Sequence, residues 1–428
     1  MISRYHLVCP GCEEKIIARV GAEPTKSTRF YFPCPHCRLP ITGSMSGIEL
    51  HEHRVDFDAD VLPFNEVESS GAKVVTVNPF VPSAYDADSF NPFGSMPTLT
   101  LVGLLKDDGF MSFKWERDHA QQVVEEKWPK VRRLFQYYLQ DNRPMFTKFA
   151  GDLFDLDRKP ATAHERTTIA YQALAYVSHG MIGDTGSRSE QIFGRFARKH
   201  TASMRRGDHM RVFRARGSLS ATLERDVFTE LGRFIDRFES WEMGRLTRFV
   251  ESSAKAELDS LVLFRDEFSI VRDLFQQGFE LACKCLWPLV AAQNTVKRRD
   301  PHDFGDVHPS VRVVPVKLRP KNLSDFDKLS NARKIAYVEL VPGWEALVVM
   351  LDSKHRNTIG HATAHHDHQT GRIVSDKDPD GVSYIDFLGM TFDVFEALAI
   401  LTQILRAARV ASSPDFIGEW TKEDLPGA

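Results

Sequence analysis

Two cysteine pairs constrain this chain more than any other feature. Cys9-Pro10-Gly11-Cys12 is followed, after 21 residues, by Cys34-Pro35-His36-Cys37. A Cys-x-x-Cys run closes into a tight turn that aims two sulfurs at one point. Two such turns, brought together by short strands, offer four sulfurs in a tetrahedral set. The flanking residues suit that arrangement: 4–8 and 28–32 read as strands leading into the turns, and 14–20 as a return strand.

Four thiolates are the donor set zinc prefers, and they leave no coordination position open for a substrate. The expected cofactor is therefore one structural zinc per chain on Cys9, Cys12, Cys34 and Cys37, with no metal used in catalysis. Lys15, Arg19 and Arg38 lie close in sequence to offset the formal charge of the thiolates. So small a unit buries little core, and the metal would carry much of its stability. Residues 1–46 look like a zinc ribbon, a module that binds nucleic acid, binds protein or caps a fold.

The first nine residues contain no apolar run of the kind a secretory signal needs, and no stretch approaches the ~18 uncharged apolar residues of a membrane span. The expectation is a cytoplasmic protein with no membrane partner, whose six cysteines stay reduced. Cys283 and Cys285 fall in an apolar helical stretch and read as core thiols. Lys+Arg 55 against Asp+Glu 58 excludes a global basic field but leaves room for a local one.

Beyond the cysteines, residues 47–112 lack helical periodicity and read as an irregular connector, with short strand-like runs at 73–77 and 98–105. Helical spacing begins near 114. Val123, Val124, Trp128, Val131, Leu134 and Phe135 form one stripe, and Thr162 with Glu165 forms a capping box for a helix over 163–179. Further helices are expected at 189–200, 218–253 and 256–292, the last stopped or kinked at Pro288. A helix over 343–360, two short strands at 372–375 and 383–387, and an apolar helix over 391–411 complete the reading. The fold class expected is mainly α. A helical domain spans 113–254, a second spans 255–412, and 413–428 is a tail.

The densest polar chemistry is His355-Arg356-Asn357-Thr358-Ile359-Gly360-His361. Five of the 16 histidines fall between 355 and 368. Asn357 and His361 share a helix face, and Arg356 lies about 140° away on an ideal helix. The trio suits metal-independent phosphodiester cleavage. Histidine exchanges a proton near neutral pH, arginine holds the pentavalent phosphate, and asparagine orients either without adding charge. Arg356-Asn357 followed by His361 resembles the RxxxxH motif of HEPN-domain proteins, and the resemblance extends loosely over 255–412. It implies a C-terminal HEPN-like helical domain, a homodimer pairing two such motifs, and RNA cleavage leaving a 2′,3′-cyclic phosphate. It also implies a role as a bacterial toxin or anti-phage defence effector, with an antitoxin or other regulatory protein as partner.

Two alternatives accompany that reading. One is a non-catalytic ribbon-and-helix scaffold that binds nucleic acid or protein. The other is a metal-dependent phosphohydrolase using the His/Asp cluster of 361–368. Separately, residues 194–217 carry eight basic residues against one acid. Arg198, Lys199, Arg205 and Arg206 among them are candidates to track a phosphate backbone, with RNA as the expected partner.

Overall fold

The computed structural model describes residues 2–47, 53–63, 72–85, 97–154, 160, 162–183, 216–351, 359 and 363–411. The chain divides into two compact units, each assembled from three separate segments. The first comprises Met1–Trp115, Arg237–Phe275 and Lys354–Phe392; the second comprises Glu116–Asp236, Gln276–Ser353 and Asp393–Ala428.

The described strands all belong to the first unit. β1 (Ile2–Val8) and β2 (Lys15–Gly21) form an antiparallel hairpin with Val8 opposite Lys15. Ile16, Ala18 and Val20 alternate inward along β2 and are fully buried. β3 (Thr25–Pro33) and β4 (Pro40–Gly47) form a second hairpin. β5 (Arg54–Phe57) pairs with β4, β6 (Asp60–Leu62) with β1, and β7 (Lys73–Val77) runs parallel to β2. The strand orders are thus β6-β1-β2-β7 and β3-β4-β5. A third sheet, β10-β9-β8, follows in β8 (His365–Asp367), β9 (Arg372–Ser375) and β10 (Asp378–Ser383).

These three sheets correct the expected mainly-α fold of a small β ribbon, an irregular connector with short strands and a C-terminal helical domain. The stretch after residue 47 supplies strands to both N-terminal sheets. A two-stranded hairpin is marginal alone, so each N-terminal hairpin gains a partner from it. The strand-like run at 73–77 is a strand, with Val75 and Val77 buried. The run at 98–105 is instead helical, within Pro97–Gln122. Its Thr-Leu-Thr-Leu alternation imitates a strand, but Leu101, Leu104 and Leu105 are the buried positions, which is helical spacing. Residues 384–387, expected in a strand, open the last helix, Tyr384–Ala411.

Helices make up the described part of the second unit. The stripe on Trp128–Leu139 buries Trp128, Val131, Leu134 and Phe135, and Phe135 stacks on Phe228 at 4.5 Å. Thr162 and Glu165 exchange both hydrogen bonds of the capping box at the start of Ala163–Ile182. The buried Glu224 carboxylate accepts from Tyr171 Oη at 2.6 Å and Tyr138 Oη at 3.2 Å. Pro288 opens the helix Trp287–Arg298 and does not end one, since an early helical position needs no amide donor. The helix Phe268–Lys284 precedes it. Of the helix expected over 343–360, Glu345–Met350 is helical and most of the remainder lies outside the described residues, as does the helix expected over 189–200.

Among the described residues one helix, Tyr384–Ala407, is long and apolar enough to cross a membrane. Its most apolar window is 89% buried within the protein, as for a core helix.

Candidate metal centres

Each cysteine pair sits in the turn at the end of a hairpin, and the two turns repeat one geometry. The Cys9 amide donates to the Glu14 carbonyl at 3.0 Å and the Glu13 amide to the Cys9 carbonyl at 2.9 Å. The equivalent bonds in the second turn run from Cys34 to Leu39 at 2.8 Å and from Arg38 to Cys34 at 3.0 Å. The residue after each second cysteine is left-handed, Glu13 at φ 59° and Arg38 at φ 67°. In both turns the amide two residues on points at the first sulfur, Gly11 to Cys9 Sγ and His36 to Cys34 Sγ, each at 3.4 Å.

The turns bring the four sulfurs together. Cys9 Sγ lies 3.6 Å from Cys37 Sγ, and Cys12 Sγ lies 3.8 Å from Cys34 Sγ. Metal–sulfur bonds of ~2.3 Å in a tetrahedron separate sulfurs by roughly 3.8 Å, whereas a disulfide needs ~2.05 Å. All four sulfurs lie within 4.8 Å of one another, so the cluster can bind one metal ion.

Proton sharing points the same way. Burial pushes the Cys34 thiol up to about 12. Burial also raises Cys9, but the amides of Cys12 and Gly11 and the neighbouring sulfurs outweigh it and bring that thiol to about 7. Four sulfurs this close do not all ionise without a cation among them.

Supporting residues come from places the cysteine spacing does not announce. Lys73 on β7 donates from Nζ to the Pro35 carbonyl at 3.4 Å, and Arg38 lies over the Tyr85 ring at 5.1 Å. A Cβ at Gly11 would meet Leu39 Cδ2 at 2.8 Å, so a larger residue there needs that exposed side chain to move aside.

A second cluster occupies the same unit. His366 lies in β8 and His368 in the turn that follows it, with their ring centroids 5.0 Å apart. Residues 262–266 run beside β3, with bridges between Phe30 and Arg265 and between Ser83 and Val262. The Asp266 amide donates to the Arg29 carbonyl at 2.9 Å. That run delivers the Asp266 carboxylate to His368, with Oδ1 3.2 Å from Nε2, while Arg29 Nη2 holds Oδ2 at 3.1 Å. One donor atom from each of Asp266, His366 and His368 falls within 4.8 Å of the others.

Aromatic rings enclose the cluster. The fully buried Tyr31 stacks on His368 at 4.1 Å, and its hydroxyl lies 3.2 Å from His366 Nε2. Tyr384 stacks on His366 at 4.7 Å. Burial, with His368 adding to it, lowers the His366 pKa to about 3 against the pull of Asp266, Asp367 and the Gly371 carbonyl. The ring is neutral at physiological pH and keeps a nitrogen lone pair. His366 Nδ1 is buried and makes no hydrogen bond of normal geometry. The hydrogen bond from His368, opposed by burial, holds the Asp266 carboxyl below its ordinary range.

The histidine-rich stretch therefore divides its work differently from the cluster considered over 361–368. His365 is exposed, with Nδ1 3.1 Å from the Thr363 carbonyl. Asp367 builds the turn by accepting from the Gln369 amide at 3.0 Å and from Thr370 Oγ1 at 2.6 Å. The carboxylate beside the histidines is Asp266, about a hundred residues upstream. The His-x-His alternation was the available signal; nothing local points to Asp266.

Arg356, Asn357 and His361 lie outside the described residues, as do Arg198, Lys199, Arg205 and Arg206. Arg216, at the end of the basic run, is described: it pairs with Asp327 at 2.9 Å and lies over Trp287 at 4.9 Å. Ile359 inside the motif segment is 2% exposed and lines a small cavity with Ala364, Ile373, Val374 and Val382. Compared with protein-family models, with curated proteins and with solved structures, the chain matches none.

Proposed function

We propose that this chain is a zinc-binding, metal-independent endoribonuclease, with Arg356, Asn357 and His361 as its reacting groups. Zinc on Cys9, Cys12, Cys34 and Cys37 would be structural, since four sulfurs fill a tetrahedron. Arg356 would stabilise the phosphorane, His361 would exchange protons with the ribose 2′-hydroxyl or the leaving 5′-oxygen, and Asn357 would orient them. A homodimer acting on RNA in the bacterial cytoplasm, as toxin or defence effector, is the setting the HEPN resemblance implies.

The observation that supports this reading is the burial of Ile359. A motif that must hold its groups within a fraction of an ångström needs a rigid base. Ile359 lies three residues after Arg356 and two before His361, is buried, and lines a small cavity together with residues of β9 and β10.

The test is incubation of the full chain with RNA in EDTA, comparing wild type with an Arg356→Ala/His361→Ala variant. Wild type is expected to leave 2′,3′-cyclic phosphate ends, and the variant to lose at least a hundredfold in rate. Equal cleavage by both proteins removes the assignment. Absence of cleavage by both, in EDTA and in a parallel reaction without chelator that leaves the cysteine-bound zinc in place, favours a non-catalytic scaffold.

A further inference from the structure

We infer that Asp266, His366 and His368 form a second metal site, distinct from the four cysteines, for a divalent first-row transition ion of the zinc class. Two imidazoles and one carboxylate are a donor set such ions favour and that magnesium and calcium do not.

The spacing suits an ion as well as it suits a proton. Metal–nitrogen and metal–oxygen bonds of ~2.0–2.1 Å place tetrahedral ligands roughly 3.3 Å apart. His368 Nε2 and Asp266 Oδ1 are 3.2 Å apart. An ion entering there takes the place of the proton between them, and that proton moves to His368 Nδ1 or leaves to solvent.

The surroundings resemble the outer shell of a metal site more than the lining of an ordinary core. Arg29 orients the carboxylate through its second oxygen. On His366 one nitrogen faces the Tyr31 hydroxyl and the other is buried without a hydrogen bond of normal geometry. Whichever nitrogen ligates, the other retains a neighbour, Tyr31 Oη or the Gly371 carbonyl, of the kind that fixes a ligating ring. The side chains of Asp266 and His368 are 20% and 21% exposed, so an ion can reach the site from solvent.

Three protein ligands leave at least one position for water. That separates this centre from the closed four-sulfur site, and it stands independently of RNA cleavage.

The experiment is a cobalt(II) titration of untagged, metal-stripped full-length protein, followed by absorbance. Wild type is expected to bind two equivalents. One carries thiolate-to-cobalt charge transfer, and the other adds only weaker d–d bands from nitrogen and oxygen ligands. Asp266→Asn preserves the shape and a hydrogen-bonding oxygen beside His368. It is expected to keep the thiolate-marked equivalent and to weaken the other at least about tenfold. The thiolate band and near-ultraviolet circular dichroism report that the variant is folded. Saturation of wild type at one equivalent overturns the inference without recourse to any variant. So does an Asp266→Asn protein that binds the second equivalent as tightly as wild type.

Discussion

The two centres of the first unit are built by opposite routes. The cysteine centre joins two copies of one local turn, each complete within six residues and each closed by the same pair of backbone hydrogen bonds. The histidine centre takes His366 from β8, His368 from the turn after it, and Asp266 from a run some hundred residues earlier, held there by pairing with β3. The first has four sulfurs that do not all ionise without a cation among them. The second has a network, Arg29–Asp266–His368 with Tyr31 against His366, that is satisfied in large part by protein groups alone. Where the ligands are thiolates supported by backbone amides alone, the ion must supply most of the stability. Where they have partners, the ion adds to a structure already formed.

Removing metal from the cysteine centre is therefore the largest expected effect. Chelation, or Cys34→Ser, should lower the melting temperature on the order of 10 °C or more, because structural zinc contributes folding energy directly. Asp266→Asn should lower it by much less. A thermal melt with and without chelator measures both, and equal sensitivity would erase the distinction.

Gly371→Ala tests whether the histidine centre depends on its backbone. Gly371 is at φ 69°, and a Cβ there would meet Val262 Cγ1 at 2.7 Å, in the run that delivers Asp266. Left-handed strain and the clash together should cost about 2 kcal/mol or more in urea unfolding. A change within experimental error would mean that the turn and the 262–266 run move apart without penalty.

This contrast also decides what was legible in the sequence. The cysteine quartet, its hairpins and the Thr162–Glu165 cap are local, so spacing alone finds them. The parallel pairing of Ile16–Val20 with Lys73–Val77 is not local: the run at 73–77 reads as a strand, but nothing in its spacing names β2 as its partner. The 98–105 run failed for another reason. Threonine and leucine alternate there, while burial follows Leu101, Leu104 and Leu105. Periodicity ranked two compatible patterns, and packing chose between them. His366 and His368 stood out as histidines, but their carboxylate partner is set by tertiary contact alone.

The smallest effect comes from a carboxylate pair in the same unit that has neither a histidine nor a cysteine beside it. Asp386 lies in the first turn of Tyr384–Ala411, and its amide donates to Ser383 Oγ at 3.1 Å. Ser383 Oγ in turn donates to Asp259 Oδ1 at 3.2 Å. Burial, reinforced by the neighbouring Asp259, raises the Asp386 carboxyl to about 6, with Lys255 pulling the other way. A carboxyl whose folded pKa exceeds its ordinary value binds its proton more tightly in the folded protein. Its contribution to stability is therefore favourable at low pH and is lost as pH rises from about 4 through about 6. Asp386→Asn, which cannot ionise, should raise the melting temperature by a few degrees at pH 7.5, by about half as much at pH 5 and by little near pH 3.5. A stabilisation independent of pH would show that shape, not charge, governs the pair.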